Sequence, residues 1–205
     1  TFYDFFLLDL PRGMKDFDGE EYSKVQFIKE NFLEVSEVFG FKLMEPSAIE
    51  FLETLEIKSG EQAKDHVFWW NNKDKKLGDI GLRFDFTIGI SRYVAGQRSI
   101  KLPAKISSAG GVWRYDEPQK ARFRYFNQWD IEIFGKSKLE YDAEVIEFTS
   151  KFFKKINLKN VEIDISHRKL AESYIHKIFE TEDAKTTADI LRAVDKIAKK
   201  SKQEI

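Results

Sequence analysis

Residues 110–135 constrain the fold of this 205-residue chain more than any other segment, because they predict two strands joined by a charged loop. Successive side chains of a strand point to opposite faces of a sheet, and residues 122–134 alternate accordingly. One face takes Arg122, Arg124, Phe126, Gln128, Asp130 and Glu132. The other face takes Phe123, Tyr125, Asn127, Trp129, Ile131 and Ile133. The segment therefore predicts a hairpin with one polar and one largely apolar face.

The incoming strand adds charge to the polar face. Arg114 and Asp116 share one side of that strand, whereas Trp113 and Tyr115 take the other. A solvent-facing surface would explain polar alternation in one strand alone. Arginine, however, binds phosphate oxygens through a planar fork of donors, an aromatic ring can stack on a purine, and carboxylates attract an ammonium group. The paired strands thus indicate a ligand with phosphates, a flat base and an amine.

The first half of the chain predicts one long helix and several short strands. Asp18 is expected to cap an amphipathic helix that ends at Gly40. Residues 41–45 then predict a strand ended by Pro46, and residues 66–70 and 79–86 predict a hairpin around a polar turn.

The second strand of that hairpin repeats the polar alternation. Arg83, Asp85 and Thr87 alternate with Leu82, Phe84 and Phe86. Thr87 is expected to cap a helix over residues 88–98, and an edge-strand carboxylate with a plain helix cap is an equally good interpretation of Asp85 and Thr87.

The remaining segments predict helices over residues 139–156, 167–179 and 186–200, a strand over 161–166 and a polar end over 201–205. Strand pairs interspersed with helices are typical of an α+β fold, here a mainly antiparallel sheet flanked by helices.

Composition excludes several kinds of site. The chain has no cysteine, which excludes disulfides, thiolate zinc sites and cysteine nucleophiles. The three histidines are too scattered to predict a metal site. No stretch approaches the roughly 20 apolar residues of a membrane span. The apolar start lacks the basic residues and cleavage site of a secretory signal, so we expect a cytoplasmic protein.

Two features limit how the chain could bind nucleotides and nucleic acids. The net charge of −1 attracts no polyanion by itself, so any contact with a nucleic acid must come from a local patch. The sequence contains neither G-x-G-x-x-G nor a P-loop, so a nucleotide would not be held in the Rossmann or Walker manner.

Residues 110–135 resemble motif 2 of the class II aminoacyl-tRNA synthetases, and their ending FNQWDIEIFG is similar to that of histidyl-tRNA synthetases. The helix up to Gly40 and the strand FKLMEP resemble motif 1, which implies that Pro46 lies near a dimer interface. Four further segments occur in the order found in the same family, namely PRGMKDF, LRFDFT, ISHRKL and LRAVDK. The resemblance covers nearly the whole chain and implies the catalytic fold of class II synthetases.

The resemblance also implies a role for each polar residue of the site. Those for ATP are Arg114 on the α-phosphate, Asp116 on the adenine amino group, Arg122 on the terminal phosphates and Phe126 stacked on adenine. Those for histidine are Asp85 and Thr87 on the ammonium group, Gln128 on the reacting carboxylate and Glu132 on the imidazole. Arg114 and Gln128 would thus act directly in the reaction. The sequence departs from the family's usual residues at Phe84, Asp85, Phe86 and Asp116.

The function implied is histidine–tRNA ligase activity in two steps. Histidine would attack ATP, with magnesium on the phosphates, to give histidyl-adenylate, and the histidyl group would then pass to tRNA(His). The family also implies a homodimer. Lys120, Arg122 and Arg124 could meet the acceptor end of the tRNA, although a solvated loop explains Lys120 equally well.

The same resemblance predicts how the chain is organised. Residues 1–179 would form a catalytic core with motifs 1 and 2, and residues 180–205 would begin an inserted helical segment. Motif 3, with its ATP-binding arginine, and the anticodon-binding domain find no match here, so we expect little or no activity from this chain alone.

Two alternatives remain open. A non-catalytic paralogue, the regulatory subunit of ATP phosphoribosyltransferase, shares the fold, but the joint presence of the motif 2 residues argues against it. A bare dimerisation module would leave the polar face unexplained.

Overall fold

The expected hairpin organises the larger part of the chain in the computed structural model, which describes residues 9–59 and 64–197. Strands β5 (Ala104–Trp113) and β6 (Tyr125–Phe134) pair antiparallel along their full lengths. The short strand β1 (Lys42–Leu43) pairs parallel to β5, which gives the sheet order β1-β5-β6. The chain divides into two compact units, Thr1–Asn160 and Val161–Ile205, and this sheet belongs to the first.

The apolar face of β6 packs on two long helices, which span Gly19–Val38 and Leu139–Lys155. Helix α1 (Gly19–Val38) begins where the Asp18 side chain accepts a hydrogen bond from the Glu21 backbone N–H at 2.9 Å. It ends before Gly40, whose φ of +75° suits a residue without a Cβ. The core on this face comprises Phe32, Val35, Phe41, Ala109, Phe148 and Phe152, with Trp129, Ile131 and Ile133 of β6 packed against it. The predicted apolar face is therefore confirmed.

The opposite face of the hairpin is partly covered by a short helix. The bounds given by the structure are β2 Ile49–Phe51, α2 Leu52–Ser59, β3 Trp69–Trp70, β4 Ile80–Leu82, α3 Thr87–Gly96 and α4 Leu139–Lys155. Phe86 and Ile90 pack on Ile106 and Val112 of β5, and Phe126 joins them from β6. The predicted site residues of β6, which are Phe126, Gln128 and Glu132, lie on this same face and are half-buried.

A second three-stranded sheet has the antiparallel order β2-β4-β3. It contains the expected hairpin, with strands shorter than predicted. The α+β fold class is confirmed by these two sheets and their helices.

The structure corrects several sequence-based expectations about strands. Residues 122–124 precede β6 and belong to the loop, and β4 ends at Leu82, so residues 83–86 are not strand. The predicted strand over 161–166 is irregular and pairs with no strand of the described part of the chain. β-branched residues favour a strand only when a neighbouring strand is present to complete the hydrogen bonds.

The second unit contains helices α5 (Arg168–Phe179) and α6 (Ala184–Ile197). His176 Nε2 lies 3.1 Å from the hydroxyl of the buried Thr187 and joins the two helices. Residues 1–8 and 198–205 lie outside the part of the chain that the structure describes. They include most of the apolar start, the end of the last predicted helix and the polar end over 201–205. None of the helices in the described ranges combines the length and the hydrophobicity needed to span a bilayer.

Candidate functional site

A buried arginine fixes the segment that follows β4. Only 4% of the Arg83 surface is exposed. Its Nε donates to the Gly111 carbonyl at 2.9 Å, and its two terminal nitrogens donate to the Pro46 carbonyl and to Glu45 Oε1. The guanidinium also lies 4.7 Å from the centre of the Phe86 ring. Arg83 therefore holds residues 83–86 and the segment at Pro46 against β5.

Arg114, directly after β5, connects this segment with the polar face of β6. Its Nε donates to the Phe84 carbonyl at 3.0 Å. Its guanidinium carbon lies 5.0 Å from the centre of the Phe126 ring, and Nη2 donates to Gln128 Oε1 at 3.4 Å. Arg114 thus contacts both the aromatic ring and the amide that the sequence assigned to the same site.

Asp85 and Thr87 lie where residues 83–86 enter α3. Asp85 is buried, and its Oδ1 accepts a hydrogen bond from the Ile88 backbone N–H at 3.4 Å. Thr87 is the first helical residue, and Phe86 at the cap position makes no side-chain cap hydrogen bond. The expected capping role of Thr87 is therefore wrong, and Asp85 binds the first turn instead because its side chain reaches an N–H three residues ahead.

Glu132 shares the face of β6 that contains Phe126 and Gln128. It pairs with Ile106 of β5 and is half-buried. It lies four positions along the strand from Gln128, roughly 13 Å at about 3.3 Å per residue. Pro46, the expected interface residue, is buried within this chain, where Arg83 binds its carbonyl.

The loop between the strands is closed by an ion pair between two predicted ATP ligands. An Nη2 hydrogen of Arg122 binds Asp116 Oδ2, and His66 Nδ1 lies 3.1 Å from Asp116 Oδ1. Burial alone raises the pKa of the Asp116 carboxyl, but the hydrogen bonds and charges of Arg122 and His66 together hold it below its ordinary value of 3.8. Lys120 and Arg122 are exposed at the surface of this loop.

Arg122→Ala should raise the pKa of Asp116, because the opposing effect of burial remains while the main favourable contact is removed. Carboxyl ¹³C chemical shifts followed from pH 2 to 6 measure this pKa directly. Because the folded-state pKa lies below 3.8, these contacts stabilise the loop above that pH and are lost as the pH falls through the folded value. A wild-type pKa above 3.8 would show that burial outweighs the ion pair.

Among the residues that the structure describes, no group of three or more His, Cys, Asp or Glu side chains is arranged to hold a metal ion. Arg83 and His66 received no site role from the sequence. The only sequence feature that pointed to Arg83 was its alternation with apolar neighbours. No sequence feature pointed to His66, because the Asp116 side chain that it contacts lies 50 residues away in the chain.

This architecture is that of a class II aminoacyl-tRNA synthetase catalytic domain. A solved histidyl-tRNA synthetase from Nostoc sp. PCC 7120 matches 96% of the chain and 43% of its own length with a TM-score of 0.79 at 22% identity. A Bacillus halodurans protein described as an ATP phosphoribosyltransferase regulatory subunit/histidyl-tRNA synthetase matches 92% of the chain and 47% of its own length, with a TM-score of 0.78 at 23% identity. At these identities the likeness shows the fold alone.

The sequence comparison identifies the family. The sequence model described as histidyl-tRNA synthetase matches residues 13–203, and the chain belongs to this family. The histidine–tRNA ligase of Pyrobaculum islandicum is 31% identical over 196 residues, which are 95% of this chain and 45% of the relative. That of Aeropyrum pernix is 32% identical over 190 residues, 92% of this chain and 43% of the relative. The chain thus spans about half the length of the curated relatives it matches.

Proposed function

We propose that the full-length protein is a histidine–tRNA ligase that forms histidyl-adenylate and transfers the histidyl group to tRNA(His). The observation that carries this proposal is the convergence of Arg114 on Phe126 and Gln128, beside the segment that contains Asp85. Histidine-dependent exchange of labelled pyrophosphate into ATP tests it, because exchange requires reversible adenylate formation and no tRNA.

ATP would bind on the half of the polar face next to the loop. Phe126 stacks on adenine, and Arg114, already in contact with that ring, reaches the α-phosphate. Asp116 accepts from the adenine amino group, and Arg122 binds the terminal phosphates. Because these two residues bind each other in the structure, ATP exchanges their ion pair for contacts with its own base and phosphates.

Histidine would lie further along β6 and toward α3. Asp85 and Thr87 bind its ammonium group, Gln128 orients its carboxylate, and Glu132 accepts a hydrogen bond from its imidazole. A carboxylate oxygen of histidine then bonds to the α-phosphorus of ATP. The bond from that phosphorus to the oxygen that bridges the α- and β-phosphates breaks, and pyrophosphate leaves. No protein nucleophile is needed, since positioning and the cationic Arg114 stabilise the charge that develops on the α-phosphate.

The remaining parts of the proposal follow the family. Magnesium would arrive with ATP and screen its phosphates. The acceptor end of the tRNA would approach the exposed Lys120 and Arg122. The protein would act in the cytoplasm as a homodimer with Pro46 near the interface. Residues 1–179 would belong to the catalytic core and residues 180–205 to the inserted helical segment.

Glu132→Ala should raise the KM for histidine by about 100-fold and the KM for ATP by less than about threefold, because it removes only the acceptor for the imidazole. Loss of a charged hydrogen-bond partner costs on the order of 1.5–3 kcal/mol. Pyrophosphate exchange with each substrate varied in turn gives both constants. Glu140→Ala, an exposed carboxylate near the start of α4, is the control. An equal rise in both KM values would exclude the imidazole role.

The regulatory subunit of ATP phosphoribosyltransferase is the second candidate, because a structural neighbour is described by both names. It requires no histidine activation. Robust histidine-dependent exchange would therefore exclude it as the main function, whereas stimulation of ATP phosphoribosyltransferase without exchange would favour it.

A further inference from the structure

Arg124, which the sequence analysis grouped with the loop cations Lys120 and Arg122, is half-buried and binds other parts of the protein. Its Nε donates to the Asp116 carbonyl at 3.1 Å and its Nη1 donates to the Arg12 carbonyl at 3.3 Å. The guanidinium carbon lies 4.0 Å from the centre of the Tyr115 ring, the geometry of a cation–π contact. The side chain therefore connects a segment near residue 12 with the first arm of the loop.

The backbone of Arg124 makes the same connection. Its N–H donates to the Gly13 carbonyl at 2.7 Å, and its own carbonyl accepts from the Arg114 N–H at 2.8 Å. One residue thus joins three parts of the chain, namely the segment at residues 12–13, the start of the loop at Arg114, and the entry to β6. Arg114 is the residue that contacts Phe126 and Gln128, so this junction adjoins the proposed ATP site.

Gly13 fits this junction because it lacks a side chain. Its φ is +82°, a region that L-residues with a Cβ rarely adopt. A Cβ at this position would also lie 2.9 Å from Arg124 Cγ and 2.9 Å from Pro118 Cγ, closer than carbon atoms pack. The turn is closed by a hydrogen bond from the Met14 N–H to the Pro11 carbonyl at 2.9 Å.

The rest of this segment contacts both arms of the loop. The Phe17 ring meets the Tyr125 ring edge to face at 6.1 Å, and Lys15 Nζ lies 5.4 Å from the centre of the Phe123 ring. The Arg12 side chain pairs with Glu117 at the surface. Residues 11–17 therefore bind the loop before and after its tip.

We propose that residues 11–17, the clasp, hold the backbone of the loop at residues 114–124 in the shape that ATP binds, and that Arg124 is the positioning residue through which the clasp acts. The part that concerns ATP rests on the proposed function. Without the clasp the loop samples more conformations, and ATP must then order Asp116 and Arg122 at the cost of their conformational entropy. The Arg124 side chain is already bound to the Asp116 and Arg12 carbonyls and stacked on Tyr115. It therefore affects ATP binding through the shape of the loop.

The test compares Arg124→Lys and Arg124→Gln with the wild type in the full-length protein. Neither side chain reproduces the planar fork that binds two carbonyls while stacking on Tyr115. Loss of these contacts should raise the KM for ATP by about 10- to 100-fold, roughly the equivalent of one hydrogen bond to a charged group, with the KM for histidine within about twofold. In the absence of ATP, trypsin should cut after Lys120 and Arg122 at least about tenfold faster in both variants, because a released loop opens more often.

Two further variants separate positioning from direct ligand binding. Gly13→Ala disturbs the clasp and leaves the Arg124 side chain in place, so it should reproduce both effects. Lys24→Ala removes an exposed ion pair with Glu20 outside residues 11–17, so it should change neither.

The outcomes are distinct. A rise in the KM for ATP that is confined to the Arg124 variants, with normal trypsin cleavage and a normal Gly13→Ala protein, would overturn the clasp and show that Arg124 touches the ligand. Faster cleavage in Arg124→Gln and Gly13→Ala without any histidine-dependent exchange in the wild type would uphold the clasp and reject the proposed function.

Discussion

Arg114→Ala should lower the kcat of pyrophosphate exchange by about 100- to 1,000-fold, the loss seen when one donor to a developing charge is removed. Arg114 combines three properties that make this effect large. It contacts the ring proposed to stack on adenine, it donates to the amide proposed to orient histidine, and it binds the backbone of the segment that contains Asp85.

Two controls make this prediction specific. Arg114→Lys keeps the charge but loses the planar fork, so it should recover only part of the lost rate. Arg98→Ala removes an exposed arginine after α3 and should leave the rate within about twofold of the wild type. A loss of less than tenfold in Arg114→Ala would remove this residue from the centre of the reaction.

Arg83→Met should lower the free energy of unfolding by about 2–4 kcal/mol, the second large effect. Methionine fills part of the volume but leaves the carbonyls of Gly111 and Pro46 without their donors, and each unsatisfied buried group costs about 1–3 kcal/mol. Because the segment at residues 83–86 is released as well, exchange activity should fall together with stability.

Urea unfolding of the full-length protein, followed by circular dichroism and by fluorescence, measures the loss and shows whether both probes report one transition. Lys24→Ala is the matched surface control, since its pair with Glu20 in α1 is largely exposed and is worth less than about 1 kcal/mol. A stability change in Arg83→Met no larger than that of the control would show that the carbonyls find other donors.

The sequence alone predicted the hairpin and its faces because strand geometry is strictly periodic. Trp129, Ile131 and Ile133 pack on the helices, and Gln128 shares a face with Phe126, as their alternation requires. The pattern gave no sign that the strand starts at Tyr125. Arg122 and Arg124 continue the alternation in the sequence. Arg122 binds Asp116 and Arg124 binds the Gly13 carbonyl, however, and these contacts hold the stretch in the loop.

Other differences have the same origin in contacts between distant residues. Strand β2 and helix α2 were not predicted, since three residues pairing with β4 leave almost no periodic signal. Arg83 is read as one more polar residue of a strand, yet it is buried because its acceptors come from Pro46 and Gly111, which are 37 and 28 residues away. Local pattern identifies which residues share a face, whereas the partners that bury a charge come from the fold.

Histidine-dependent pyrophosphate exchange by the full-length protein tests the central claim most directly. We expect labelled pyrophosphate to enter ATP only when histidine is added, with magnesium present, and the exchange to fall at least about 100-fold in Arg114→Ala. A folded full-length protein that contains motif 3 and shows no exchange with histidine would contradict the assignment as a histidine–tRNA ligase.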